Sequence, residues 1–345
     1  MERQLLVVLG MHRSGTSLIT RSLATMGFAF GETLLPSVPG DNDKGYWEDV
    51  DIVSFNEEIL KRCNKEWLSL ESVSDNEIET LLKANFQERA ISLINKKTNS
   101  KQLFGLKDPR ITKLFKFWSE VFEKVDIKVS YVLAVRNPIS VAHSLYSRQR
   151  LNFTHSYLLW TEYYLSALRH LKRYPCVKIE YERLLEEPDK ELEKIHKLTN
   201  LEINPDALQI FIESYMDKSL EHTHYELKDS DTCQEMPSIC KDLYRYFSTI
   251  DENQLAFYSK DHQKFVRTQN EKLLEMQPIF RLLDQTTNQF EQSRGKAEQA
   301  KAEAEQARAE AEQARAEAEN IRNSRFWKIT RPARSLIDLL KKDYN

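Results

Sequence analysis

The sequence predicts an α/β fold: a central, mostly parallel sheet covered by helices on both faces, then a C-terminal helical or coiled-coil extension. Two observations predict the sheet. Short β-rich apolar runs alternate with helix-patterned stretches through residues 1–225, and these runs end in Gly, charge or proline punctuation. A third observation predicts the extension: beyond residue 225 the strand-like runs cease and a strict seven-residue repeat appears. With 345 residues the chain is long enough for one sizeable domain plus appendages, or for two smaller ones.

Residues 5–9 form a compact apolar run stopped by Gly10 and read as a buried strand. Residues 17–26 carry Leu18, Ile19, Ser22, Leu23 and Met26 at helical spacing, so the chain opens strand–loop–helix. Residues 31–49, GETLLPSVPGDNDKGYWED, are dense in Gly, Pro, Asp and Asn and read as a loop. Helical periodicity resumes over 50–62 and again over 77–96. QLFGLK (102–107), KVSYVLAV (128–135) and CVKIEY (176–181) are three further strands. In parallel sheets ligands bind at the carboxyl ends of the strands, so the residues just after each run are where chemistry is expected.

Residues 1–225 are thus expected to form the ligand-binding domain, and 226–290 a polar helical connector. From Ala297 the repeat AEQAKAE, AEQARAE, AEQARAE places Ala297, Ala304, Ala311 and Ala318 at heptad position a, with Ala300, Ala307, Ala314 and Ile321 at d. Lys301, Arg308 and Arg315 fall at e; Glu303, Glu310 and Glu317 fall at g. Residues 291–322 are therefore either a coiled coil that makes the protein a homo-oligomer, weakly because alanine buries little area, or a lone solvated helix laced by ion pairs. Residues 323–345 combine Phe326, Trp327, Ile329, Leu336, Ile337, Leu339 and Leu340 with many basic residues. That is the composition of an element lying on an anionic membrane, or of an amphipathic helix docking on its own protein.

A net charge of −3 with 30% charged residues gives no global electrostatic reason to expect nucleic acid as a partner. Cys63, Cys176, Cys233 and Cys240 show no metal-ligand spacing and read as reduced thiols. The first apolar run is too short for a signal peptide, and no apolar stretch reaches the ~18 residues of a membrane span. The expected location is the cytoplasm, with peripheral contact at the inner face of the membrane through the tail.

The chemistry starts at residues 10–17, GMHRSGTS, which nearly match the nucleotide phosphate loop G-x-x-x-x-G-K-[ST]. Thr16 stands where the lysine belongs, and Arg13 supplies the nearest cation from inside the loop. Gly10 and Gly15 let backbone amides turn toward an anion, Thr16 and Ser17 offer hydroxyl donors, and Arg13 can fork onto two oxygens. Without the lysine, and without an evident acidic strand end to hold Mg²⁺, a group carrying less charge than a triphosphate fits better, with no metal required. At a second strand end, VRNPISVAHS, Arg136 leaves the strand and Ser144 follows eight residues later, two turns along a helix. Together they make a pocket for a second phosphate.

GMHRSGTSL and VRNPISVAHS together resemble the two cofactor signatures of sulfotransferases that use 3′-phosphoadenosine-5′-phosphosulfate (PAPS). GLKDPR (105–110) is similar to the Lys-Asp-Pro segment of several branches of that family, and IEYERLLEEP (179–188) to its Tyr-Glu-Asp-Leu-type strand and turn. The likeness covers roughly residues 4–225. It implies a P-loop-like three-layer sandwich. It assigns the 5′-phosphosulfate to Arg13, Ser14, Gly15, Thr16 and Ser17, and the 3′-phosphate to Arg136 and Ser144. The glycine-rich basic segment that closes over the nucleotide in cytosolic animal members has no counterpart in this chain.

The implied reaction is in-line transfer of a sulfonyl group to an acceptor hydroxyl, with Arg13 and Lys107 stabilising charge on the leaving phosphate. Histidine serves as general base in the cytosolic branch and carboxylates in the carbohydrate and tyrosine branches, so an acid in residues 31–49 is expected here. Glu48 is the first choice, with Glu32 and Asp49 behind it; the other reading of Glu48 is an exposed carboxylate capping the next helix. Tyr46 and Trp47 could stack on a sugar ring or simply pack under the loop, and by analogy His222 and His224 lie near the cofactor. The tail resembles those of bacterial polysaccharide-assembly enzymes, which points to a saccharide acceptor in a cell-surface glycan or glycolipid. Two other readings stay open: a small-molecule kinase with an altered phosphate loop, and a coiled-coil scaffold with a degenerate nucleotide domain.

Overall fold

The computed structural model describes residues 3–38, 42, 45–171, 174–216, 227–250 and 259–335. Strand β1 (Gln4–Leu9) is buried along its whole length and lies inside a parallel sheet. It pairs with β2 (Leu103–Lys107) on one side and β3 (Lys128–Val135) on the other; β4 (Cys176–Glu180) joins β3, giving the order β2-β1-β3-β4. Parallel neighbours demand crossovers, and the chain makes them with helices. Between β1 and β2 run α1 (Thr16–Ser22), α2 (Val50–Arg62), α3 (Asp75–Lys83) and α4 (Phe86–Thr98). Helices α5 (Pro109–Lys113) and α6 (Phe115–Phe122) link β2 to β3, and α7 (Pro138–Gln149) and α8 (Phe153–Leu171) link β3 to β4. After β4 come α9 (Tyr181–Glu186), α10 (Pro188–Thr199), α11 (Pro205–Tyr215), α12 (Leu227–Thr232), α13 (Ser238–Thr249), α14 (Lys260–Asn323) and α15 (Arg325–Ile329).

Strand alternation divides the interior into two cores. Leu5, Val7 and Leu9, with Tyr131, Leu133 and Val135, face a large core built from α2 to α8, α13 and the first turns of α14. Leu6 and Val8, with Val132, Ala134, Val177 and Ile179, face a smaller core closed by α1, α9 and α10. The sheet is therefore the middle of three layers, which is the α/β sandwich expected from the sequence.

Several helices start where sequence chemistry puts them. Pro109, Pro138 and Pro205 occupy first turns, after Asp108, Asn137 and Asn204, whose side chains accept from Arg110 N, Ile139 N and Ala207 N. Two expectations are corrected. Residues 77–96 are not one helix: Ser74 and Glu77 form a capping box that starts α3 early, and Ala84 (ψ 178) breaks it before α4 begins. In one continuous helix Phe86, Ala90 and Ile94 would sit about 100° or more around from the Ile78/Leu81 stripe; the break lets both sets reach the same core. Residues 17–26 are α-helical only to Ser22; Leu23–Met26 tightens to a 3₁₀ turn that Gly27 ends at φ 84.

The outer edge of β2 is covered. Ala29 bridges Phe104, its N–H donating to Leu103 O at 3.0 Å while Gly105 N donates to Ala29 O at 2.8 Å. Phe30 then lies over Gly105 so closely that a Cβ there would meet its ring at 2.5 Å.

The chain forms two compact units, residues 1–284 and 285–345. The strands belong to the first, as do the buried α14 residues Val266, Leu273 and Phe280. In the second unit the described side chains from 292 to 329 are all exposed. Among the described residues no helix is long and apolar enough to cross a membrane.

The contact at Gly105 is testable. Gly105→Ala should lower stability by about 1–3 kcal/mol, the usual penalty of overpacking. Adding Phe30→Leu should recover part of that loss in a double-mutant cycle read by urea denaturation; equal losses with and without Phe30 would exclude the ring as the cause.

Candidate active site

The parallel register Val8↔Lys107 and Leu9↔Leu133 brings the ends of β1, β2 and β3 to one edge of the sheet. Three connections leave from it: residues 10–15, Asp108 into α5, and Arg136-Asn137 into α7. The first bends sharply. Gly10 lies at φ 146, where a Cβ would meet Ala134 O at 2.8 Å, and Gly15 lies at φ 77 beneath the Tyr181 ring, where a Cβ would have 2.1 Å. Thr112 fixes the bend from α5, accepting from Gly10 N at 2.7 Å and donating to Gly10 O at 3.0 Å.

That bend carries Arg13, itself left-handed at φ 68, to the second strand end. Arg13 Nε donates to Ser144 Oγ at 2.7 Å, and Arg136 Nη1 donates to Arg13 O at 3.1 Å. Residues more than a hundred positions apart thus meet in one cluster. The Arg136 guanidinium also lies over the Tyr181 ring, 4.3 Å from its centroid, with Nε 3.9 Å from Glu182. Ser14 and Thr16 face inward: Ser14 is buried with its N–H on Met11 O, and Thr16 packs its methyl toward Gly10. Their side chains do not join the cluster.

Ser17 points to a second group. Its hydroxyl lies 3.3 Å from Lys107 Nζ, 3.2 Å from Asn42 Nδ2 and 3.2 Å from Tyr46 O. Lys107 Nζ donates to Glu48 Oε1 at 2.6 Å, and Arg110 Nη1 stands 3.7 Å from Glu48 Oε2. Glu48 is 5% exposed and Lys107 2% exposed, so this is a buried pair. Burial raises the Glu48 carboxyl above its ordinary value, and Asp108 adds to the rise; Lys107 and Arg110 oppose it without cancelling it. The helix cap is Asp49 instead, accepting from Asp51 N and Ile52 N and held by Lys97 at 2.8 Å, while Glu32 is exposed. Of the three candidate acids, Glu48 is the one held against Lys107. Trp47 packs edge-on to Phe30 with Arg21 over its ring, and Tyr46 is half-buried.

The supports behind these groups are buried too. Asp108 caps α5, accepts from Asn56 Nδ2 at 2.7 Å and pairs with Arg110 at 3.0 Å; Asn56 in turn accepts from Trp118 Nε1 at 2.7 Å. The Arg110 fork continues to Glu57 at 2.8 Å.

The sequence model of the Sulfotransferase family matches residues 6–205, the stretch that holds every one of these groups. The chain belongs to that family. Among solved structures it is similar to the sulfotransferase domain of the curacin biosynthetic pathway, at 16% identity over 71% of this chain and 98% of that one, with a TM-score of 0.43. It is also similar to the sulfotransferase domain of the Synechococcus PCC 7002 olefin synthase (16% identity, 77% and 94% coverage, TM-score 0.38). A Mycobacterium tuberculosis sulfotransferase matches at 12% identity, 70% and 77% coverage and a TM-score of 0.39. No curated protein matches the sequence.

In this sulfotransferase one residue escaped the sequence reading. His12 adjoins Arg13, its ring 4.4 Å from that of Trp67, and its shielded Nε2 has no hydrogen-bond partner among the described residues. Burial, with Arg110, Lys107, Arg148 and Arg13 nearby, holds its pKa well below the ordinary histidine value. The histidine is visible in the 10–17 loop of the sequence, but its burial comes from residues far along the chain. His222 and His224 lie outside the described residues.

His12 should therefore remain neutral at pH 6.5, where an ordinary histidine is half protonated. Long-range ¹H–¹⁵N NMR should show one ring nitrogen unprotonated there, and Trp67→Ala, which opens the ring to water, should move its titration upward. An imidazolium signal at pH 6.5 in the unaltered protein would contradict this environment.

Proposed function

We propose that the protein transfers a sulfonyl group from PAPS to an acceptor hydroxyl on a saccharide of a cell-surface glycan or glycolipid. The observation that carries the donor is the meeting of Arg13, Ser144 and Arg136, which gathers phosphate-binding chemistry from two strand ends. Arg13, the amides of residues 14–17 and the Ser17 hydroxyl would hold the 5′-phosphosulfate. Arg136 and Ser144 would hold the 3′-phosphate, a planar guanidinium with a hydroxyl being suited to a doubly charged oxyanion.

In the proposed step the acceptor oxygen attacks sulfur in line as the bond from sulfur to the bridging oxygen of the donor breaks. Both electrons of that bond go to the phosphate oxygen, where Lys107 and Arg13 stabilise the growing charge. The acceptor proton goes to Glu48. Its raised pKa suits a base that must take a proton, and the neighbouring Lys107 pulls in the other direction, favouring the ionised form. Trp47 and Tyr46 offer flat surfaces to a sugar at the same loop. The heptad segment 291–322 is an association element outside the reaction. The tail, whose Phe326 and Ile329 are exposed among Arg325, Lys328, Arg331 and Arg334, meets the inner face of a membrane.

Calorimetric titration separates this reading from its rivals. Metal-independent binding of 3′-phosphoadenosine-5′-phosphate supports it, and a preference for ATP with Mg²⁺ would turn the assignment to a kinase. Deleting residues 291–345 should leave turnover on a soluble acceptor, which a scaffold would not need. Incubation with ³⁵S-labelled donor and an envelope extract should label a glycan or glycolipid fraction.

Three substitutions test the roles. Arg13→Ala should abolish transfer with the circular dichroism unchanged. Glu48→Gln should lower kcat by roughly 10²–10⁴. In the unaltered enzyme kcat/KM should fall as pH drops through a Glu48 pKa lying above 4.5, because the base must be unprotonated. Lys107→Met, which removes a group that lowers that pKa, should move the acid limb to higher pH as well as slow the reaction; a limb that stays in place would remove Glu48 as the base.

A further inference from the structure

The heptad register of the C-terminal helix does not begin at the alanine repeat. Counted backward in sevens from Ala297, position a falls on Phe290 and Leu283, and counted back from Ala300, position d falls on Ser293, Thr286 and Ile279. All of these belong to α14. Within residues 1–284, Ile279 is 60% exposed and Leu283 45% exposed, although Leu273 and Phe280, about a quarter turn round the helix, are buried. Within residues 285–345, Phe290 is 64% exposed and Ile321, at the last d position, 55% exposed. Large side chains left in water are unremarkable singly. Four of them share one heptad phase of the sequence with seven alanines over residues 279–321, and this shared phase is the seam.

We infer that this seam pairs with the same seam of a second copy of the chain, in parallel and in register. The inference rests on the association role given above to residues 291–322 and extends it upstream to Ile279, replacing a run of weak alanine knobs with one anchored by Ile279, Leu283, Phe290 and Ile321.

Charge at the flanking positions sets the direction. In a parallel pair, position g of one helix faces position e of the next heptad in its partner. That matches Glu303 with Arg308, Glu310 with Arg315 and Glu317 with Arg322, and leaves one like-charged match, Lys296 with Lys301. In an antiparallel pair g faces g and e faces e, which sets glutamates near glutamates and arginines near arginines. Within a single chain these glutamates accept hydrogen bonds from neutral amides, Gln299 to Glu303 and Gln306 to Glu310 at 2.9 Å and Gln313 to Glu317 at 3.2 Å. Their negative charge is left for a cationic partner. Close backbone approach at alanine a and d positions would bring the g and e side chains together along the C-terminal half, while the larger residues bury apolar area in the N-terminal half.

Sedimentation equilibrium of the full chain should give a mass twice the 40.6 kDa of one copy. Oxidation of Ala318→Cys, an a position far from the seam's midpoint, should link identical chains, with the unaltered protein and its four free thiols as the blank. Combining Ile279→Glu with Phe290→Glu should raise the dimer dissociation constant about 100-fold or more. Both positions are exposed, so binding of 3′-phosphoadenosine-5′-phosphate should be unchanged if that donor reading is right. Should this double variant fail to fold, Glu303→Arg with Glu310→Arg and Glu317→Arg, confined to the exposed helix, weakens the pair instead. A monomeric mass at tens of micromolar, a mass other than twice the chain's, or a dimer in which Ala318→Cys links only to Ile279→Cys chains overturns the inference. None of these outcomes depends on whether the enzyme uses PAPS.

Discussion

The structure depends on the parallel pairing of β1 with both β2 and β3. Because the three strands run the same way, their carboxyl ends share one edge, and their following residues become neighbours whatever their separation in sequence. Val8 is opposite Lys107, and Leu9 opposite Leu133, so the residues that leave these strands start within a few ångströms of one another. A slip by one residue would turn Leu5, Val7 and Leu9 into the other core and carry Gly10 away from Thr112. Packing of two unequal cores therefore guards the geometry of the polar cluster. Neither Arg13 nor Lys107 needs to search for its place once the strands are registered.

Charge burial is the cost of that arrangement. Lys107, Glu48, Asp108 and Arg110 lie mostly out of water, and the Lys113–Glu162 pair behind them is wholly enclosed. Pairs on a surface contribute about 0–1 kcal/mol. Buried ones are different: removing one partner costs about 3–5 kcal/mol, because the other is left uncompensated. Here opposite charges alternate with neutral donors from Asn56 and Trp118, so each carboxylate has a named partner. At Glu48, desolvation outweighs two nearby cations, and the carboxyl holds its proton more tightly than it would in water.

Much of this was legible in the sequence because it is encoded over short distances. Apolar runs ending in Gly10, Lys107 and Val135 located the strands. The eight-residue step from Arg136 to Ser144 placed both on the same strand–helix junction. What could not be read is set by long-range convergence. Nothing local distinguishes Glu48 from Asp49; the difference is that one faces Lys107 on β2 and the other caps α2 beside Lys97. His12 was overlooked because its environment comes from Trp67 and from four cations spread between residues 13 and 148. The break between α3 and α4 was hidden by continuous helix-forming composition, in which Ala84 gives no warning. Thr286 and Ser293, polar residues at d, masked the earlier heptads in the same way.

The central position of β1 also has a consequence for how the protein is made. This strand is synthesised first among the four, yet both of its neighbours lie roughly 100 residues or more downstream. At ordinary elongation rates of about 5–20 residues per second, on the order of 5–20 s pass before β2 can pair with it. Throughout that interval a wholly apolar segment, LLVVL, has two unsatisfied edges and no core to enter. The strand that organises the finished enzyme is thus the one most exposed to misassociation on the ribosome. That exposure ends only when Leu103–Lys107 emerges and can pair with it.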